Sequence, residues 1–286
     1  MTQQISRRTF MQAAGAAALG AATLGAGWQA HAVPLEGRIK KALKYGMIGG
    51  DASPLEKLTL VKELGYEGVE PTVRERVDHD ELLAASEATG VKVHGVVNGS
   101  VEDIPRAIDL AVHYGADSVL LVAGRVNEDK SYADNYTETQ AIIREAVPYA
   151  AEKEILLLVE NVWNNFLLSP LEKARYIDEF ESEWVASYFD GGNVMRFGYP
   201  EHWIPVLGER IKKLDIKEYS RDKQLNEGLW KGFDVPIGEG STDWAAFRRE
   251  LVAIDYHGWA TAEVPGGGRE ELADISRRMD EVLGLG

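Results

Sequence analysis

The 286-residue chain contains no cysteine. That absence excludes disulfides, thiolate metal sites and cysteine nucleophiles, and it is compatible with an oxidising compartment. Basic residues are scarce as well. The 31 lysines and arginines face 46 acids, for a formal charge of −15. Phosphate-backbone binding needs a basic face, so nucleic acid is not an expected partner. Six histidines are too few, at the positions they hold, for a multi-zinc site. No strand-like run leads into a G-x-G-x-x-G turn, which speaks against a dinucleotide fold. Nothing resembles a serine nucleophile elbow. Beyond the N-terminal arginine pair, no Lys/Arg cluster adjoins an apolar segment, so neither membrane-surface binding nor a stable membrane anchor is expected.

The N-terminus carries a targeting pattern. Arg7 and Arg8 in "SRRTFMQ" precede the Ala/Gly-rich run "AAGAAALGAATLGAG", and "AHA" follows at 30–32. A positive start, a short apolar run and a small-x-small site make a secretory signal, and the arginine pair makes it a twin-arginine one. The run is too short and too weakly apolar for a comfortable membrane span. The expected organisation is a twin-arginine signal peptide over 1–32, read by the twin-arginine export machinery, and a mature domain over 33–286 in the periplasm or outside the cell.

From residue 43 the pattern alternates between short Val/Ile/Leu-rich runs and amphipathic stretches of helical period. Strands are predicted at 44–48, 67–71, 91–97, 118–123, 155–160, 185–190, 211–217 and 259–264. Helical patterns such as 53–65, 101–115, 169–180 and 242–258 lie between them, several opening on Ser or Thr and closing on Gly. Eight strand–helix units in this length predict an α/β fold of one domain, a closed (β/α)8 TIM barrel. An open doubly wound sheet is the alternative.

A barrel of this kind places its chemistry at the C-terminal ends of the strands. Four predicted strands carry an acid there: Glu160 in "LLLVEN", Asp190 in "YFDGGN", Asp215 in "KLDIKEY" and Glu263 in "WATAEV". Side chains alternate along a strand. If Leu214 and Ile216 face the helices, Lys213, Asp215 and Lys217 face inward, and the same parity turns the other three acids inward. Four converging carboxylates must take up protons or hold a cation, and an all-oxygen set suits Mn²⁺ or Mg²⁺ better than Zn²⁺. Taken singly, each could equally be a helix cap or a solvated loop acid.

These segments, with "PIGEGSTDW" and "DYHGWATAEV", resemble the xylose-isomerase-like barrels, a family of sugar isomerases and epimerases. Looser agreement, through "LGYEGVEP" and the strand–helix rhythm, extends the resemblance over nearly all of 43–283. The resemblance implies Glu160 and Glu263 as metal ligands and as the acid/base pair, with Asp190 as a further ligand. Asp215 stands where the family usually has a ligating histidine, and Asn193 stands where many members have the histidine of Asp-x-x-His. The resemblance also implies Arg221 as a substrate-binding residue, and Glu70 at a substrate-side position. Lys217, Trp163, Asn193 and His94 complete the expected substrate set; for Trp163 and His94, core packing is the alternative reading. The expected function is a divalent-metal-dependent isomerase or epimerase that abstracts a proton next to a carbonyl of a free sugar or ketoglycoside. A 3-keto-glycoside lyase on the same site, or an exported sugar-binding protein without catalysis, are the alternatives. Homo-oligomerisation is left open.

Overall fold

A computed structural model describes residues 35–286; the predicted twin-arginine segment lies outside the described residues. Nine parallel strands form one sheet: β1 Ile39–Lys44, β2 Gly68–Glu70, β3 Lys92–Val93, β4 Val96–Val97, β5 Ser118–Leu121, β6 Leu156–Glu160, β7 Val185–Asp190, β8 Ile211–Ile216 and β9 Gly258–Ala262. Their lateral order is β3-β2-β1-β9-β8-β7-β6-β5-β4. The first and last members of that order are two pieces of one segment, interrupted at His94–Gly95. The sheet therefore returns on itself as an eight-strand barrel, and a Thr72–Val97 bridge joins its two ends. Helices connect the strands on the outside, as the right-handed crossover between parallel strands requires.

The interruption has a steric origin. A Cβ at Gly95 would lie 2.5 Å from Glu70 Oε1, 3.0 Å from Ser118 Oγ and 3.1 Å from Lys213 Nζ. Only glycine lets these three polar side chains share the barrel interior at that level. Beside it, the His94 ring stacks on Trp259 with centroids 4.5 Å apart.

Helix starts follow the predicted capping chemistry. Ser53 forms a capping box with Glu56, and Ser169 accepts from the Glu172 amide. The helix expected from Thr242 opens instead at Trp244, capped by Asp243, because the Thr242 hydroxyl donates to Glu218.

The first strand differs from its expected position at 44–48. It covers 39–44, and Tyr45–Met47 form a 3-10 turn. Its three lysines mask its hydrophobic pattern, yet two of them are held inside the protein by partners. Lys41 turns outward, where Asp280 Oδ1 accepts its ammonium at 2.6 Å and Ser276 Oγ at 2.7 Å. Lys44, of opposite parity, turns into the barrel.

The predicted parity of β8 holds. Leu214 and Ile216 join the apolar layer beneath the helices, whereas Lys213 and Asp215 are buried in the interior. A bulge at Lys212 shifts the register against β7, so Ile211 also faces the outer layer despite its odd number. Inside the barrel, Leu120, Leu158, Ala186 and Tyr188 make a separate small apolar cluster. The polar mouth rests on this floor.

Gly95→Ala tests the shared interior. The added methyl meets Glu70 and Lys213, and overpacking of this kind costs about 1–3 kcal/mol; the urea midpoint should fall accordingly, without a change in slope.

Candidate active site

The four acids expected from the sequence meet. One ligand atom from each of Glu160, Asp190, Asp215 and Glu263 lies within 4.8 Å of all the others. Glu160, Asp190 and Asp215 are buried, and Glu263 is open to a cavity above them. Each sits within one residue of the C-terminal end of its strand, where alternation directs it inward.

Two lysines thread between the acids. Lys217 Nζ is 2.8 Å from Asp190 Oδ2 and 2.6 Å from Glu263 Oε2. Lys44 Nζ donates to Glu70 Oε2 at 2.6 Å and stands 2.9 Å from Asp215 Oδ1. It is off the line of a hydrogen bond to Asp215, both of whose carboxylate oxygens are buried without a donor. Burial opposes the charge on both lysines. The carboxylates around them outweigh it, with Asp215 and Glu70 foremost for Lys44 and Asp190 and Glu263 for Lys217, and both remain firmly cationic.

The two glutamates are pushed apart. Burial, reinforced by the Glu263 charge, raises Glu160 to about 8. Glu263 resists its own burial because Lys217 and Lys44 hold its carboxyl below the usual range. Burial likewise raises Asp190 and Asp215, against the pull of Lys217 on the first and of Lys44 on the second.

A scaffold of neutral groups fixes this arrangement. Asn193 Nδ2 donates to Asp190 Oδ2 at 2.8 Å, to the Asn161 carbonyl at 3.1 Å and to Glu160 Oε1 at 3.4 Å. Asn161 brackets the Asp190 backbone: its amide donates to the carbonyl and its oxygen accepts the N–H. The same oxygen accepts from Lys173, which is fully buried on the helix Pro170–Asp178 and also donates to the Tyr188 carbonyl. Burial lowers Lys173 to about 7, with Glu160 and Asp190 opposing that shift.

Glu218 fastens the long connection after β8. Its carboxylate accepts from the Gly238 and Thr242 amides, the Thr242 hydroxyl and the Trp244 indole. Nothing in the periodicity distinguishes Glu218, Lys173 or Lys44 as site residues. Lys44 falls at the edge of a misplaced strand, and Lys173 reads as an ordinary helix cation.

Other expected residues divide into two groups. Lys217, Trp163 and Asn193 line the cavity with Glu160 and Glu263. Glu70, His94 and Arg221 do not. Glu70 lies below, accepting from Lys44 and the Tyr188 hydroxyl. His94 is buried against Trp259, Thr261 and Lys213; burial and the neighbouring Lys213 and Lys44 charges keep its ring neutral. Arg221 turns away, donating to the Met195 and Gly198 carbonyls and packing on Tyr199. Its guanidinium is committed to holding a loop.

The donor set fits a hard divalent cation. All four candidate ligands are carboxylates at mutual distances that one ion can bridge, and the Asp215 oxygens are buried without donors. If all five carboxylates including Glu70 are ionised, they exceed Lys44 and Lys217 by three charges, and a dication reduces the excess to one.

The raised Glu160 carries a stability consequence. A carboxyl raised on folding binds its proton more tightly in the native state, so stability is lost as pH climbs from the unfolded value through about 8. Glu160→Gln removes that loss. In chelator, the variant should melt several degrees above wild type at pH 8, with the gap closing toward pH 5, as differential scanning calorimetry can show. Linkage contributes about 1.4 kcal/mol for each pH unit separating the native and unfolded titrations, and a chain of this size gains about 2–4 °C per kcal/mol.

Comparison with known proteins agrees with the barrel fold. L-ribulose-5-phosphate 3-epimerase UlaE of Escherichia coli is 26% identical over 265 residues, covering 80% of this chain and 88% of that protein. The apo crystal structure of 3-keto-D-glucoside 4-epimerase YcjR from E. coli superimposes with a TM-score of 0.69 at 15% identity, covering 85% of this chain and 98% of that one. D-allulose 3-epimerase from Methylomonas sp., solved in complex with D-allulose, gives a TM-score of 0.67 at 17% identity, covering 85% and 96%. At such identities the two structures establish likeness of fold. Residues 58–281 match the family described as xylose isomerase-like TIM barrel, and the chain belongs to that family.

Proposed function

We propose that this protein is a divalent-metal-dependent sugar epimerase or isomerase, moving a proton to and from carbon next to a carbonyl of a free sugar or ketoglycoside. The observation that carries the reading is the pair Glu160 and Glu263. They stand three strands apart around one barrel mouth, line one cavity, and are driven toward opposite protonation states. Two carboxyl groups pushed apart by their surroundings are the signature of an acid and a base. The relatives named as sugar epimerases support the same reaction class.

Glu160, Asp190, Asp215 and Glu263 would hold the cation, with Mn²⁺ or Mg²⁺ the best match to their oxygens. When bound there, it polarises the substrate carbonyl and offsets the charge that develops on its oxygen. Glu263, kept ionised by Lys217, takes the proton from the carbon beside the carbonyl, and the C–H electrons pass into the carbon–carbon bond. Glu160, on the facing wall, would ligate through one oxygen and carry on the other the proton that it returns to carbon. Delivery to the opposite face of the same carbon inverts it; delivery to the former carbonyl carbon, with the adjoining hydroxyl's proton passing to the first oxygen, moves the carbonyl. In either case substrate and product have the same composition, and proton exchange resets the two glutamates. Asn193 holds Glu160 and Asp190 in register throughout. Lys217 supplies a cation beside the developing charge.

Export by the twin-arginine route belongs to the same proposal. It is supported by Arg7–Arg8, the apolar run and the A-x-A site in the sequence.

Two measurements test the reading. In D₂O with Mn²⁺, NMR of candidate keto-sugars should show deuterium entering the carbon next to the carbonyl. Glu160→Gln and Glu263→Gln should each slow that exchange by about 10²–10⁴-fold, the usual contribution of a positioned acid or base. Undiminished exchange in both variants would rule the mechanism out. Metal binding has its own readout in thermal stability. A cation at a hundredfold excess over its Kd stabilises by about 2.7 kcal/mol, so Mn²⁺ should raise the wild-type Tm and raise that of Asp215→Asn much less.

A further inference from the structure

The cavity above the carboxylates encloses about 730 Å³. That is within the range of about 300–1,000 Å³ that accommodates drug-sized ligands, and it leaves room beyond one sugar ring. Away from the acids its walls are mainly apolar. Val122, Val162 and Val264 contribute, and one side is built from Trp163, Trp230 and Phe233.

That aromatic side is held unusually firmly. Trp163 packs on Trp230 at 4.8 Å and on Phe233 at 4.9 Å between ring centroids, and its indole N–H donates to the Asn193 carbonyl at 2.9 Å. Trp230 and Phe233 ride on the 3-10 turn Leu229–Phe233. The Tyr219 hydroxyl donates to the Leu229 carbonyl and the Ser220 amide to the Gly232 carbonyl, each at 2.7 Å. A Cβ at Gly232 would lie 2.3 Å from the Tyr219 ring, so the turn sits flush on that tyrosine. Glu218 pins the far end of the same connection. Trp230 nonetheless remains 66% exposed. A large apolar ring kept in the open by a rigid support, at the rim of a reaction cavity, is preorganised for a ligand.

The charge around the cavity narrows the ligand. Among the described residues outside the carboxylate cluster, Arg125 is the single cationic side chain lining it, and the Arg196 guanidinium is taken up by the Trp163 ring, 5.0 Å from its centroid. Lys217 is committed to Asp190 and Glu263, and Arg221 to backbone carbonyls. A dianionic phosphate is usually met by several donors, among them a bidentate arginine or a helix start. An uncharged ring is met by an aromatic face.

Accepting the cavity as a keto-sugar site, we propose that Trp163, Trp230 and Phe233 form a subsite for a second ring, attached to the reacting sugar as the aglycone of an uncharged ketoglycoside. The carboxylates hold the reacting ring at the strand ends, and the substituent lies against the exposed face of Trp230.

Calorimetric binding of methyl, phenyl and glucosyl 3-keto-glucosides to the Mn²⁺-loaded full chain tests this, with a ketopentose 5-phosphate as the charged comparison. The phenyl or glucosyl compound should bind about three- to tenfold tighter than the methyl one, the contribution of an aromatic contact, and which of the two gains identifies the ring. Trp230→Ala should collapse that preference toward one, and Trp230→Phe should retain most of it. No ring preference in wild type, a preference that survives Trp230→Ala, or tightest binding by the phosphate would overturn the subsite. Deuterium exchange into the methyl compound separates the two proposals. Exchange without a ring preference discards the subsite and keeps the reaction; a ring preference without exchange does the reverse.

Discussion

Mutual repulsion among carboxylates is the constraint around which this barrel mouth is built. At 4.8 Å, two full negative charges repel by about 3–4 kcal/mol at an effective dielectric of about 20, and the cluster contains several such pairs. The protein answers with two devices at once. Lys44 and Lys217 each bridge two acids from different strands, and burial drives Glu160, Asp190 and Asp215 toward their neutral forms. The same balance creates the functional asymmetry. Glu263 lies against Lys217 and stays ionised, while Glu160 meets no ammonium within ion-pair distance among the described residues and takes a proton. Under the proposed reaction, this placement of counter-charge, closer to Glu263 than to Glu160, would give an acid and a base from the same residue type.

Holding such a cluster requires support that contributes little charge of its own. Asn193 and Asn161 satisfy carboxylate and backbone groups without adding a charge, and Lys173 is buried deeply enough to be easily neutralised. Gly95 plays the matching steric part, clearing space for Glu70, Ser118 and Lys213 beneath the mouth. Above it, Glu218 collects five donors and fixes the connection that carries the aromatic wall. The chain tolerates electrostatic strain at the mouth because apolar packing dominates elsewhere. Strain localised at a reaction centre and compensated by a conventional core is the usual division between activity and stability.

The eight-unit rhythm and the convergence of Glu160, Asp190, Asp215 and Glu263 were legible in the sequence because parity carries along a strand wherever no bulge intervenes. A carboxylate two positions beyond a buried inward residue must also point inward. What parity does not supply is the partner. His94 has the inward parity expected of a site residue, yet it sits one level too deep, among Trp259, Thr261 and Lys213. Arg221 has the right distance from β8, but the Met195 and Gly198 carbonyls draw its guanidinium away. Lys44 was hidden for another reason. A strand written IKKALK has no clean alternation, since its lysines are accommodated on both faces by ion pairs formed over long sequence separations. Periodicity reports apolar burial, and it is silent where charge is buried.

Asp215 shows what that silence conceals. The family resemblance places an imidazole there, and a carboxylate adds a negative charge to a site already crowded with them. Considered alone, the substitution weakens the case for a functional centre. Lys44 changes the balance, because its ammonium reaches Asp215 and Glu70 together from a strand two positions away around the barrel. The added negative charge thus arrives with a positive one close by. Both Asp215 oxygens still lack a hydrogen-bond donor in a fully buried position, and orphaned acceptors of this kind are costly unless something electropositive meets them. With the proposed cation, the arrangement would be an altered ligand set whose charge is rebalanced from β1. Four carboxylates converging on one point, with the Lys44 ammonium 2.9 Å from Asp215, keep the donor chemistry of a cation site at the position where the resemblance expects an imidazole.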